Sequence, residues 1–270
     1  MKLGCCVNML ASTKAGIGNE FVEIFSELGY DYIELPLAQV MALTDLDFKE
    51  MFSEIRSIPV EVCNNFFPVS MRLTGEEFNM PKISEYVKKA TERAAEMGVK
   101  VIVLGSADAK NIPEGFSYDK GKSQFIELLY HLQNVVEALD INIVLEPLNV
   151  KESNFILNLG EAIAIMEEVS CKNIKVLVDY YHMRMENESQ SMIIKAGSNL
   201  KHVHIASKEG RRFPNENDGE DYEYFFTNLK AIGYDGRVSV EGYSENIKED
   251  AKRAALLLRR FMNGSVTTFG

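Results

Sequence analysis

Apolar positions along the chain follow two rhythms in alternation. Short, nearly continuous apolar runs begin near Leu3 (LGCCVN), Asp31 (DYIELP), Ile58 (IPVEVC) and Lys100 (KVIVLG), then near Ile141 (INIVLEP), Ile174 (IKVLVDY), Leu200 (LKHVHIA) and Arg237 (RVSVEG). Runs of this length, rich in β-branched residues and apolar on both faces, are predicted as strands of a buried parallel sheet. Between them the spacing changes to i, i+3, i+4. Phe125, Leu128, Leu129, Leu132, Val135 and Leu139 form one stripe, Ile83, Tyr86, Ala90, Ala94 and Met97 a second, and Ala251, Ala254, Leu258 and Phe261 a third. Eight such alternations, at about 33 residues each, predict a (β/α)8 barrel over residues 1–270, one domain with a terminal extension after about residue 262. An open, doubly wound sheet is the competing architecture, but no G-x-G-x-x-G follows the first strand.

The connections are unequal. Helix-to-strand turns are tight, as at Gly29-Tyr30 and Gly233-Tyr234-Asp235-Gly236, whereas strand-to-helix segments 64–80, 105–122 and 206–220 are long. In a barrel the long set emerges at one end, where binding and catalysis are built. Segment 64–80 carries Phe66, Phe67, Met71, Arg72 and Phe78, which suits either a lid or plain packing on the rim.

Composition narrows the class. The chain is 46% hydrophobic and 26% charged, ordinary for a globular protein, and its net charge of -11 argues against nucleic acid as a partner. No apolar run of about 18 residues implies a membrane span. Cys5, Cys6, Cys63 and Cys171 form no C-x-x-C pair, so neither a disulfide framework nor a cysteine zinc site is expected, and a reducing cytoplasm is the expected location.

The last four strands all end on chemistry. Glu146 closes IVLE, Asp179 closes VLVD, His204 lies near the end of HVHI, and Glu241 closes VSVE. In a closed barrel these strand ends converge, so residues distant in sequence share one pocket. Three converging carboxylates repel one another, and a shared cation relieves the repulsion. Oxygen-rich donors with one imidazole suit Mn²⁺ first, with Mg²⁺, Co²⁺ or Zn²⁺ as alternatives. His182, three residues after Asp179, either reaches into the same pocket or bonds to nearby backbone. His202 shares a strand face with His204 and is expected one layer deeper. Glu34 ends the second strand, where it touches substrate or braces a ligand; Asn8 and Asn64 end others. His131 lies in a helix and is expected to be structural.

These residues resemble a known family. Glu146-Pro147-Leu148-Asn149 with Glu152 resembles the E-P-L-N-x-x-E motif of ketose 3-epimerases. Asp179-Tyr180-Tyr181-His182-Met183 resembles their D-x-x-H-M, and His202-Val203-His204 with Arg211, Arg212 and Pro214 their H-x-H segment with a downstream arginine. Glu241-Gly242 completes the set, within the wider sugar isomerase/epimerase superfamily of xylose isomerase-like TIM barrels. The resemblance implies that Glu146, Asp179, His204 and Glu241 bind one divalent metal, that Glu146 and Glu241 are also the acid/base pair, and that Glu152, His182 and Arg211 contact a carbohydrate. It also implies a homodimer or homotetramer. The stretch IASKEG before the arginine pair is one residue longer than the family's usual spacing, so Arg212 competes with Arg211. It also lacks the usual glycine and acidic residue after the histidine, which leaves the sugar open.

The chemistry implied is removal of a proton beside a ketone, with the metal stabilising the ene-diolate and carboxylates on opposite faces exchanging the proton. Aldose–ketose or hydroxypyruvate isomerisation, or dehydration of a cyclitol or dehydroshikimate, would use the same kind of site. An abasic-site endonuclease would need histidines on earlier strand ends, where this chain has Asn64, Asn65, Gly105 and Ser106. A non-catalytic sugar-binding barrel would have no use for both glutamates.

Overall fold

The computed structural model describes residues 1–264, so the extension expected after about residue 262 lies mostly outside the described residues. Eight strands are present: β1 (Lys2–Cys6), β2 (Tyr32–Pro36), β3 (Val60–Asn64), β4 (Val101–Leu104), β5 (Asn142–Leu145), β6 (Ile174–Asp179), β7 (Leu200–Ile205) and β8 (Arg237–Val240). Each pairs in parallel with the next, and β8 returns to β1, with Val240 opposite Cys5. The sheet therefore closes, and the open doubly wound alternative is excluded.

Side chains two apart in a strand share a face, and this rule builds the interior in layers. Tyr32, Val62, Val101, Val103, Val144 and Leu177 form a separate apolar cluster that plugs the barrel. Two residues further along each strand the inward positions turn polar or bare. Tyr32 leads to Glu34, Val62 to Asn64, Val103 to Gly105, Val144 to Glu146, Leu177 to Asp179, His202 to His204 and Ser239 to Glu241. The C-terminal mouth is thus lined with chemistry above a largely apolar layer.

Outside the barrel the helices bury their stripes. Phe125, Leu128, Leu129 and Leu132 are fully buried on the Tyr118–Val136 helix, Val135 and Leu139 are partly buried against the same core, and Val136, i+4 from Leu132, is fully buried beside them. That helix starts within the segment expected to be loop. Ser117 caps it, its side chain accepting the Lys120 N–H, and Gly121 lies buried in its first turn. Segment 64–80 packs on the rim: Phe66, Phe67, Met71 and Leu73 are buried, and Tyr86 Oη donates to the Phe66 carbonyl at 2.7 Å. All four cysteines are free, and among the described residues no helix is long and apolar enough to cross a membrane.

Candidate active site

The barrel mouth brings Glu146, Asp179, His204 and Glu241 together. One donor atom from each lies within 4.8 Å of all the others, and all four residues are buried. Parallel register explains part of this, since Asp179 sits directly opposite His204, and Glu241 follows Val240, which pairs with Ile205. His204 Nδ1 is 2.9 Å from Glu146 Oε1 and 3.1 Å from Glu241 Oε2. Asp179 also caps the Tyr180–Met185 helix, its Oδ1 accepting the Tyr181 N–H at 2.8 Å. That bond leaves Oδ2 facing the cluster. Three carboxylates and one imidazole, buried and mutually close, fit an oxygen-preferring divalent cation.

Electrostatics bear the strain of this crowding. Burial pushes the Glu146 carboxyl up, and burial with the charge of Glu241 also raises Asp179. Burial works the same way on Glu241, but Arg211 and His204 outweigh it and hold that carboxyl low. Arg211 Nη2 lies 2.5 Å from Glu241 Oε2 and 3.4 Å from Asp179 Oδ2, with Nη1 3.7 Å from Glu152 Oε2. Its guanidinium stacks over the Tyr181 ring at 4.8 Å. The backbone of Arg211 is left-handed (φ 49°), directly after Gly210 (φ 67°). Two successive left-handed residues fold the turn back, and the Tyr243 N–H fixes it by donating to the Arg211 carbonyl at 2.7 Å. Arg212 instead points outward to exposed Glu245, so the geometry separates the two arginines.

His182 reaches the cluster, its Nε2 3.5 Å from Asp179 Oδ2. Nδ1 accepts the Asn149 N–H at 3.1 Å, which places the ring proton on Nε2. That Nε2 is buried with no hydrogen-bond partner among the described residues, and burial keeps the ring neutral. An unpartnered donor aimed at the mouth is suited to a ligand oxygen. Asn149 also donates to Glu152 Oε1 at 2.8 Å, so one amide orients two of the residues expected to contact substrate.

Beneath the cluster runs a buried chain of polar contacts. Glu34 Oε1 lies 3.0 Å from His204 Nε2, and Oε2 lies 2.9 Å from His202 Nε2 while accepting the Ser239 hydroxyl at 2.6 Å. Tyr32 Oη meets Ser239 Oγ at 2.8 Å. Burial alone would raise the Glu34 carboxyl, but the two imidazoles hold it well below the usual carboxylate range. An ionised Glu34 only accepts, so Nε2 of His204 carries its proton and Nδ1 is the nitrogen turned to Glu146 and Glu241. Glu34 therefore braces His204 from within the polar layer of the barrel. Glu34→Gln should weaken Mn²⁺ affinity by roughly 10- to 100-fold. Titrating free Mn²⁺ by electron paramagnetic resonance checks this, and an unchanged affinity would remove the bracing role.

Other residues fall elsewhere. Asn64 donates to Asn8 Oδ1 at 3.0 Å, and His131 lies in the Tyr118–Val136 helix, away from the cluster. Lys110 is fully buried beside β5 and was not singled out by sequence, because a lysine on a strand-exit segment reads as solvated. Its ammonium is pulled down to about 8 by burial against the charges of Glu146 and Glu152.

Fold and site together define the class: a (β/α)8-barrel enzyme with a buried carboxylate–histidine cluster at its C-terminal mouth. The family follows from comparison. The profile of the xylose isomerase-like TIM barrel family matches residues 22–261, and the chain belongs to that family. It is 27% identical over 221 residues to L-ribulose 3-epimerase of Methylomonas sp. (strain DH-1), covering 81% of this chain and 76% of that protein. It is 37% identical over 111 residues to ketose 3-epimerase of Arthrobacter globiformis, covering 40% and 37% respectively. The solved structure of D-psicose 3-epimerase with D-tagatose from Clostridium cellulolyticum H10 superposes with a TM-score of 0.85 at 19% identity, covering 97% of this chain and 99% of that one.

Proposed function

We propose that the protein is a divalent-metal-dependent sugar epimerase that inverts a ketose at C3. The observation that carries this reading is the set of four mutually close donors, Glu146, Asp179, His204 and Glu241, two of them glutamates at the exits of β5 and β8. Glu146, Asp179, His204 and Glu241 would hold the cation, with Mn²⁺ the best match to the donor set. A cation held there would supply Lewis-acid stabilisation of charge on the substrate's carbonyl oxygen.

The chain's own residues do the rest. Glu146 and Glu241 come from strands three apart around the barrel, so they can flank a sugar carbon from two sides. One carboxylate takes the C3 proton as the other carboxyl delivers a proton to the opposite face, and the configuration inverts. His182 Nε2–H, Arg211 and Glu152 orient the hydroxyls. The four free cysteines suit a reducing cytoplasm, and a homodimer or homotetramer remains part of the proposal by family resemblance.

Solvent deuterium exchange tests the reading. Mn²⁺-loaded protein is incubated in D₂O with D-fructose, D-psicose, D-tagatose, D-sorbose and L-ribulose, and label is located by NMR. Deuterium at C3 with formation of the C3 epimer is expected. Label confined to C1 or C2 would transfer the assignment to aldose–ketose isomerisation, and no exchange with any ketose would overturn it.

A further inference from the structure

The exit of β4 contains three features that nothing in the proposed chemistry requires by itself. The first is Gly105. A Cβ built at Gly105 would fall 2.0 Å from Glu146 Oε2 and 3.1 Å from its Cδ. The Glu146 carboxylate therefore occupies the space that any side chain at Gly105 would fill. Gly105 does not have a positive φ, so its backbone would accept alanine, and the close approach alone accounts for the glycine.

The second is Ser106, which is left-handed at φ 32° and ψ 56°. A non-glycine residue there stores strain, and the surroundings hold it. The Ser106 carbonyl accepts the N–H groups of both Ala109 and Lys110 at 3.0 Å, and its hydroxyl accepts the Phe67 N–H at 3.1 Å. The chain thus reverses sharply into the single helical turn Ala107–Lys110. Carbonyls at the end of that turn are held from segment 64–80. Arg72 donates to the Asp108 and Asn111 carbonyls, and Thr74 Oγ1 donates to that of Asn111 at 2.7 Å.

The third is what the reversal delivers. Lys110 returns to the end of β5, fully buried, and its Nζ donates to the Glu146 main-chain carbonyl at 2.8 Å. Where β4 turns away at Gly105, β5 loses its ladder partner, and the ammonium takes up the strand-end carbonyl that is left over. Main chain and carboxylate of Glu146 are therefore both governed from one neighbouring turn.

We propose that this turn is the positioning device for Glu146, with Lys110 fixing its main chain and Gly105 leaving its carboxylate the space it occupies. The inference rests on the reading of Glu146 as both ligand and acid/base group. In this role Lys110 and Gly105 both act through Glu146.

A double-mutant cycle separates this role from a general loss of structure. Gly105→Ala and Lys110→Met are each expected to weaken Mn²⁺ binding about 10-fold and to lower kcat about 10- to 100-fold at saturating Mn²⁺, with KM changed less than kcat. Tm of Gly105→Ala should stay within about 3 °C of the wild type, because the clash is with the end of one side chain. In the Glu146→Ala background, adding Gly105→Ala or Lys110→Met should change neither Mn²⁺ affinity nor residual exchange further. Additive losses in that background, or a Gly105→Ala protein with wild-type kcat and affinity, would overturn the device. If Lys110→Met does not fold, the Gly105 arm decides the matter alone. A wild type that binds Mn²⁺ but exchanges no ketose would sink the epimerase reading, and the affinity arm of the cycle would still decide positioning. A wild type that does neither overturns both.

Discussion

Glu241→Gln should reduce kcat by about 10³-fold, within the 10²- to 10⁴-fold range for loss of a proton-transferring group, and leave the fold intact. The substitution is nearly isosteric, and the residue lies just past the end of β8, held by its own N–H to the Ile205 carbonyl at 3.1 Å. Its side chain makes two strong contacts, to Arg211 Nη2 and to His204 Nδ1. A glutamine oxygen retains one of them, so structure persists while proton transfer at one face of the sugar carbon stops. Glu146→Gln should be just as damaging to inversion, with one difference in the isotope pattern. With the protein in D₂O, a variant that retains a base on one face still washes label into the starting ketose without forming its epimer. Each glutamate should therefore abolish exchange into one of the two epimers and spare it in the other. In variants shown to retain bound Mn²⁺, loss of exchange into both epimers from both would mean that the two carboxylates do not divide the faces, and the assignment of an acid/base pair would fail.

The barrel and the cluster were legible because both rest on periodicity. Eight apolar runs closing into a sheet force their ends together, and the polar residues at the ends of the last four then meet in one cluster. The sheet's inward alternation also places His202 one layer below His204, as expected from their spacing. What sequence did not carry is direction. Arg211 and Arg212 are neighbours, and only the left-handed turn at Gly210-Arg211 turns one to Glu241 and the other to Glu245. Glu34 was visible as a strand-end acid, but touching substrate and bracing a ligand differ by which atoms of His204 it meets. Lys110 was invisible for a different reason. Its burial depends on a strained reversal at Ser106, and no local pattern announces that a lysine will fold back under the next strand. The helix stripe held, and Val136 widens it by one residue: periodicity gives a face, and neighbours choose its edge.

Removing divalent metal should abolish activity and lower Tm by about 10 °C relative to protein in Mn²⁺ at roughly a thousand times Kd. A ligand that binds only the folded state at that excess contributes about 4 kcal/mol, and each kcal/mol moves Tm by about 2–4 °C for a chain of roughly this size. The physical source is the crowding at the mouth. Without a cation, burial and mutual repulsion disfavour the ionised forms of Glu146 and Asp179, and the Arg211 guanidinium reaches only Glu241 and Asp179 closely. A divalent ion among the four donors would relieve what that guanidinium leaves uncompensated. The sign of the pH dependence follows. Raised carboxyl pKa values mean that protons compete with metal, so the Mn²⁺-induced rise in Tm should shrink as pH falls from about 7.5 to about 5.5. His204→Ala should remove most of the shift, because Nδ1 lies against both Glu146 and Glu241 and its loss takes away the donor those two carboxylates share. Differential scanning calorimetry after chelation, with Mn²⁺ restored in steps, checks each part. A Tm that ignores Mn²⁺ up to millimolar concentration, in a protein shown to be folded, would mean the carboxylates and His204 satisfy one another without an ion.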